Sequence, residues 1–289
     1  MEWIVGFLIA ATVGLTGIGG GSFTMPVLVL LGLPPATAVG TAMVFAAVLR
    51  LVIAPVYIVR GHVHAGYLRL LLAGAVPGLL LGTWALRAMD QFSGGPVVLL
   101  IVGFMLTISS TVGFVPRLRR PGFARKNGGW LAFLAFPIGM ETGFSSAGAG
   151  AMGTILLLNF SELAVPEVVG TDVLFGIVLA VVGSAFHLGW GSIDRVILFR
   201  LLAGGIPGAL FGVVLSKRIP AHRLRMAVAL IAIALGLQLV WTSGRSLLHN
   251  RAEPQNSSPL HPRTGPQKTR ADGPDIGSAI VPGPGEMKR

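Results

Sequence analysis

Apolar residues in this chain fall into eight long runs separated by short polar joints, at about 3–32, 36–59, 66–88, 94–116, 130–158, 167–190, 196–216 and 222–243. A helix of about 20 apolar residues crosses the roughly 30 Å hydrocarbon core of a bilayer. Backbone polar groups must be satisfied internally in lipid, which favours helices. The pattern therefore predicts an all-α, polytopic membrane protein of about eight hydrophobic segments. The first and fifth runs differ from the rest because glycine interrupts them. Gly17-Ile18-Gly19-Gly20-Gly21-Ser22 breaks one, and Ser145-Ser146-Ala147-Gly148-Ala149-Gly150 breaks the other.

The two interrupted runs open two similar halves. Ala73-Gly74-Ala75-Val76-Pro77-Gly78-Leu79-Leu80-Leu81-Gly82 returns as Ala203-Gly204-Gly205-Ile206-Pro207-Gly208-Ala209-Leu210-Phe211-Gly212, and Gly40-Thr41 returns as Gly170-Thr171. The organisation read from this is a first transmembrane repeat at 1–116, a basic connector at 117–129 and a second repeat at 130–243. A tail at 244–289, rich in Pro, Gly, Ser and charge, reads as disordered. Each repeat holds four segments, the first broken at glycine. Two topologies stay open. Eight full spans make the halves parallel repeats; two re-entrant broken segments make them inverted. Both put the same number of basic residues inside, so the positive-inside rule does not choose.

Composition agrees with a membrane setting. Hydrophobic residues make up 53% and charged ones 11%, against about 25% charge in a soluble domain. Mean hydropathy is +0.78. The net charge of +11 does not point to nucleic acid, because the basic residues sit in short loops such as Arg117, Arg119, Arg120, Arg125 and Lys126, with no aromatic-basic platform. The chain has no cysteine, so thiolate metal sites are excluded. Met1-Glu2 offers no positive region of the kind that begins a signal peptide. His62 and His64 lack further ligands nearby, and no metal or cofactor is expected.

Paired, glycine-interrupted segments in matching places of two halves point to a transporter's binding site. A helix restarting after such a break aims free N–H groups and a positive dipole end at one point, which suits an anion. The expected substrate-binding set is Gly19, Gly20, Gly21 and Ser22 from one half, with Ser145, Ser146, Gly148 and Gly150 from the other. Thr41 and Thr171 are candidates to face the breaks, or else to bond their own helices' carbonyls. Gly74, Gly78 and Gly82, and their counterparts Gly204, Gly208 and Gly212, lie four apart and read as close helix packing.

Ionisable residues inside membrane segments are costly and usually functional. Arg50 either steers an anionic substrate or pairs with a buried carboxylate. Glu141 carries a coupling proton, pairs with Arg50, or caps the helix at the break. Asp172 carries the proton or offsets a helix dipole. His187 reads as interfacial rather than as a proton relay.

The run Gly17-x-Gly19-Gly20-Gly21-Ser22-Phe23-x-x-Pro26, then Gly32-Leu33-Pro34-Pro35 and Ala38-Val39-Gly40-Thr41, resembles the TauE/SafE family of sulfite exporters over residues 1–243. The resemblance implies a carrier in the bacterial inner membrane for sulfite, organosulfonates or related sulfur anions, energised by the proton gradient. The chain departs from the family pattern at Ala42, where a serine is expected, and at Asp172, its counterpart in the second half.

Together these readings describe a multi-pass inner-membrane carrier for a small anion, with protons as the coupling ion and the bilayer as its surroundings. The rival classes are an intramembrane enzyme, for which no nucleophile and base stand at recognisable spacing, and a passive anion channel.

Overall fold

The structure, a computed structural model, describes residues 1–16, 21–58, 63–92, 95–112, 128–216 and 221–252. Within these residues every regular element is a helix. In chain order they are α1 (Glu2–Thr16), α2 (Gly21–Leu30), α3 (Pro35–Ile58), α4 (Ala65–Phe92), α5 (Gly95–Val112), α6 (Gly128–Ser145), α7 (Ala151–Phe160), α8 (Val165–Gly189), α9 (Arg195–Leu215) and α10 (Ala221–Ala252).

Among the described residues six helices, α3, α4, α5, α8, α9 and α10, are long and apolar enough to cross a membrane. The first and fifth hydrophobic runs are each divided into two helices. α2 and α7 have 10 residues apiece, or about 15 Å at 1.5 Å per residue, half the hydrocarbon core. The last helix also exceeds its apolar run, continuing to Ala252 rather than stopping at 243.

Helix starts follow local chemistry. α8 opens with Pro166 in its first turn, and the Glu167 carboxylate accepts from the Ala164 N–H at 2.9 Å. That closes one of the N-terminal donors a helix leaves open. α9 is capped by Asp194, whose carboxylate accepts from the Ile197 N–H at 2.9 Å. Pro77 and Pro207 lie inside continuous helices.

Glycine governs the tightest packing. A Cβ placed on Gly74, Gly78 or Gly82 of α4 would fall into the carbonyl oxygens of Ala132, Phe136 and Met140 of α6. On α9, Gly204, Gly208 and Gly212 stand in the same relation to the carbonyls of Trp3, Phe7 and Ala11 of α1. Without a side chain the backbones meet directly, the usual means by which membrane helices associate. Residue numbers rise together along both seams, so α4 runs parallel to α6, and α1 parallel to α9.

α3 and α8 form the centre and are the most buried of the crossing helices. Gly183 of α8 receives the Met43 sulfur, while Gly176 receives the Arg50 guanidinium. Numbers rise on one helix as they fall on the other, so α3 and α8 are antiparallel. α5 packs on α10, where Gly103 faces Leu239 and Val240, and Gly236 faces Thr107. That pair is antiparallel too. Phe45, Leu49, Leu71, Leu79 and Phe175 fill the core, whereas Trp84, Phe104, Phe199, Phe211 and Trp241 are exposed. An apolar periphery is what a lipid solvent requires.

Candidate functional site

The second break is fully described. α6 ends at Ser145 and α7 begins at Ala151. Between them Ser146, Gly148 and Gly150 have φ of 61°, 78° and 114°. That left-handed region is open to glycine and costly for other residues, which explains the glycines and makes Ser146 the strained position. The turn is held from one helical turn back. The Thr142 hydroxyl donates to the Ile138 carbonyl at 2.7 Å and accepts from the Ala149 N–H at 3.0 Å. The Ser145 hydroxyl donates to the Glu141 carbonyl at 2.9 Å and accepts from the Ala147 N–H at 3.2 Å. The Ser146 N–H reaches the Thr142 carbonyl at 2.8 Å. Ser145, Ser146, Gly148 and Gly150 thus build the break, but the N–H groups of Ser146, Ala147 and Ala149 serve the turn itself.

Charge gathers on the α7 side of this turn. Arg50, only 7% exposed, donates from Nη2 to the Ala149 carbonyl at 2.8 Å. Its Nη1 lies against the bare backbone of Gly176. The partner whose charge acts on it is Asp172, 3% exposed. The Thr154 hydroxyl donates to Asp172 Oδ2 at 2.7 Å, and Asp172 Oδ1 sits where a side chain on Gly153 would be. The carboxylate therefore rests on the first turn of α7, the end that carries the partial positive charge of the helix. Burying either charge alone costs several kcal/mol; paired and hydrogen-bonded, the two become tolerable. Of the two buried acids near the turn, it is Asp172 rather than Glu141 whose charge acts on Arg50, a neighbour that the sequence reading did not suggest.

Glu141 lies behind the same turn. A Cβ on Gly148 would be 3.2 Å from Glu141 Oε2, and the Ser109 hydroxyl faces the carboxylate from α5. Glu141 also borders a cavity of about 520 Å³ between α5, α6 and α7, whose other walls are mostly apolar, among them Phe104, Met105, Leu134 and Met152. A second cavity of about 130 Å³ lies where α4 and α8 end, among Thr83, Arg87, Asp90, His187 and Trp190. There the Arg87 guanidinium stacks 4.8 Å from the Trp190 ring centre, and His187 is buried.

The other predicted residues lie elsewhere. Gly19 and Gly20, like Gly17, are outside the described residues, while Gly21 and Ser22 open α2. The Thr41 hydroxyl accepts from the Asp194 N–H at 3.1 Å, and the Thr171 hydroxyl accepts from the His64 N–H at 3.0 Å. Each fastens the loop that leads into α9 or α4. Thr41 and Thr171 lie near the starts of two antiparallel helices, so they stand at opposite ends of the central pair. No cluster of three or more metal-ligating side chains occurs among the described residues; His62 is outside them. The structure thus brings Arg50, Glu141, Ser145, Ser146, Gly148, Gly150 and Asp172 around one turn. It adds Thr142, Thr154, Gly153 and Gly176, which sequence reasoning missed. A threonine one turn before a glycine break, free to bond back into it, is the signal that could have found Thr142.

This arrangement, a helix interrupted inside a bundle of membrane-length helices with buried charge at the interruption, belongs with transport chemistry. The comparisons agree. The chain is 28% identical over 248 residues to a protein of Bacillus subtilis named "Probable membrane transporter protein YjnA", with 82% of this chain and 98% of that protein covered. It is 31% identical over 173 residues, covering 58% of this chain and 69% of the other, to the "Probable inner membrane transporter protein TsaS" of Comamonas testosteroni. No solved structure matches it. A profile described as sulfite exporter TauE/SafE matches residues 3–239, nearly all of the hydrophobic part, and the chain belongs to that family.

Proposed function

We propose that this chain is a carrier that moves a small oxyanion, sulfite or an organosulfonate, across the bacterial inner membrane by alternating access, with protons as the coupling ion. The carrying observation is the cation of Arg50, buried beside the positive end of α7 at a helix break. An anion is the substrate such a place selects, and the family of sulfite exporters supplies the sulfur chemistry. Arg50, Thr154 and the first turn of α7 would hold it, with the turn from Ser145 to Gly150 as the base of the site. Gly19, Gly20, Gly21 and Ser22 are the proposed contribution of the other half. Thr41 and Thr171 would act indirectly, by fixing the loops ahead of α9 and α4. Glu141 and Asp172 are the two candidate proton carriers.

The duplication is read here as an inverted repeat. α1 on α9 repeats as α6 on α4, with matching glycine seams. The pairs α3 with α8 and α5 with α10, each joining equivalent segments, run antiparallel. A two-fold axis lying in the membrane plane produces antiparallel equivalents; an axis along the membrane normal would make them parallel. In this reading α1 and α6 enter the bilayer from opposite faces, and α7 turns back at the described break after α6. The eight hydrophobic segments then become six crossings and two re-entrant pairs, the layout in which transporter sites form between broken helices.

The test is flux in proteoliposomes, with sulfite, sulfate and short organosulfonates compared at imposed pH gradients. Saturable, gradient-dependent movement of at least one sulfur oxyanion is expected. If none of them moves faster than in protein-free vesicles, the reading is wrong. A channel would instead give conductance that does not saturate and ignores the proton gradient.

A further inference from the structure

Resting on that carrier reading, we propose that the Asp172 carboxylate is a built-in occupant of the anion site. It fills the place at the start of α7 until a proton releases it and the substrate takes that place.

The geometry of the carboxylate is that of a bound ligand. It receives the Thr154 hydroxyl at 2.7 Å. It rests on the α7 backbone at Gly153, where only the absence of a side chain leaves room. It stands within the charge of Arg50, which is itself anchored to the Ala149 carbonyl at the lip of the break. A hydroxyl, a helix N-terminus and a guanidinium are what an oxyanion site consists of. Arg50 adds an independent sign that the place is built for a ligand. The side chain is buried to within 7% of complete, and its Nε has no hydrogen-bond partner among the described residues. A sulfite or sulfonate group presents oxygens at nearly the spacing of a carboxylate, so one can replace the other.

Charge balance turns this exchange into coupling. Arg50 with ionised Asp172 is neutral overall. Arg50 with protonated Asp172 and a monovalent anion is neutral as well. The two mixed forms, a protonated Asp172 with no anion and an ionised Asp172 beside an anion, leave a net buried charge, which the low-dielectric interior disfavours. Only the neutral forms reorient readily. A proton from water forms an O–H bond on Asp172 as the anion enters, and both leave together on the other side. The substrate and the proton therefore travel in the same direction, one proton for each monovalent anion, with no net charge moved. Two other ionisable groups lie close by: Glu141, whose Oε2 approaches Gly148 of the same turn, and His64, ahead of α4, whose backbone N–H meets Thr171.

The experiment uses purified full-length protein in liposomes with an internal pH dye and labelled sulfite, at a pH where hydrogensulfite is present. In the native protein, proton uptake should match monovalent anion uptake one to one, without stimulation by membrane voltage. Asp172→Asn should lose ΔpH-driven accumulation while anion exchange between loaded vesicles stays above that of protein-free ones. Glu141→Gln tests the rival carrier. Anion flux in the native protein without proton movement overturns the inference, and so does loss of the ΔpH response in Glu141→Gln but not in Asp172→Asn. Absence of any oxyanion flux in the native protein instead refutes the carrier reading beneath it.

Discussion

If Arg50 and Asp172 form a buried pair, removing both should cost far less than the two single losses added together. Arg50→Gln takes away the hydrogen bond to Ala149 and leaves an ionised Asp172 in the core with Thr154 as its hydroxyl donor. Breaking a buried pair by deleting one partner costs about 3–5 kcal/mol. The scale is reasonable, since two unit charges about 4 Å apart attract by about 4 kcal/mol at an effective dielectric constant of 20. Asp172→Asn has the reverse effect, leaving the guanidinium uncompensated, and should cost a similar amount. In the double variant no buried charge is left without an opposite, so only the amide replacements and their imperfect hydrogen bonds count, about 1–3 kcal/mol.

Two single losses of about 3–5 kcal/mol each against about 1–3 kcal/mol for the double leave a coupling energy of at least about 3 kcal/mol in favour of the pair, at or above the upper end of what contacting residues show. Equilibrium unfolding in mixed detergent and SDS micelles, followed by circular dichroism, measures all four proteins. Single losses that add to within about 0.5 kcal/mol in the double variant would falsify the pairing, and with it the charge-balance argument for transport.

Four further outcomes follow from the packing. Gly78→Ala and Gly208→Ala each press a methyl group into a facing carbonyl and should destabilise by about 1–3 kcal/mol in the same unfolding assay, whereas Gly189→Ala, with open space around it, should be neutral. Gly150→Ala must hold φ of 114°, a conformation costing a non-glycine residue about 1–3 kcal/mol; a melt identical to the native one would show that the break does not need its left-handed turn. Thr171→Val removes the acceptor for the His64 N–H and should cost about 1 kcal/mol, with amide hydrogen exchange rising at His64 and its neighbours. Since the chain has no cysteine, Ala65→Cys and Arg195→Cys are clean reporters of topology: an impermeant maleimide applied to one face of the membrane should label only one of them. Labelling of both from the same face would support parallel repeats instead.

Much of the fold was legible because lipid leaves few choices. Apolar runs of the right length become helices, and the spacing of Gly74, Gly78 and Gly82 announces a bare helix face. What the runs could not reveal was the direction of each helix. The positive-inside rule gave equal support to both topologies, and the choice depends on contacts such as Met43 with Gly183 and Arg50 with Gly176, which join residues far apart in the chain. The site was legible in part for the same reason. The glycine break at 145–150 is visible locally, since a run of residues able to adopt positive φ stands out. Its hydrogen bonding was not, because the hydroxyl that organises it, Thr142, lies in what reads as ordinary apolar helix. Nor did the sequence bring Asp172 to Arg50, since Glu141 was the acid it offered as a partner. Both are buried acids in the same half, and only the approach of α8 to α3 decides between them.

Under the two-fold relation proposed above, the halves share a scaffold but not a site. The counterpart of Thr154 at an offset of 130 is Thr24, also fully buried, so the hydroxyl is retained. The counterpart of Asp172 is Ala42, and that of Arg50 is Ala180, both buried. The counterparts of Arg50 and Asp172 therefore carry no charge, although the counterpart of Thr154 keeps its hydroxyl. On the carrier reading proposed above, a symmetric frame could tilt equally well in either direction while the one charge pair would fix a single binding position for both states. If that asymmetry defines the site, introducing Ala42→Asp into Asp172→Asn should not restore proton-driven transport unless Ala180→Arg accompanies it, because a carboxylate without its guanidinium is a buried charge without an opposite. Restoration by Ala42→Asp alone would mean that the dipole of the broken helix suffices and that Arg50 serves stability rather than coupling.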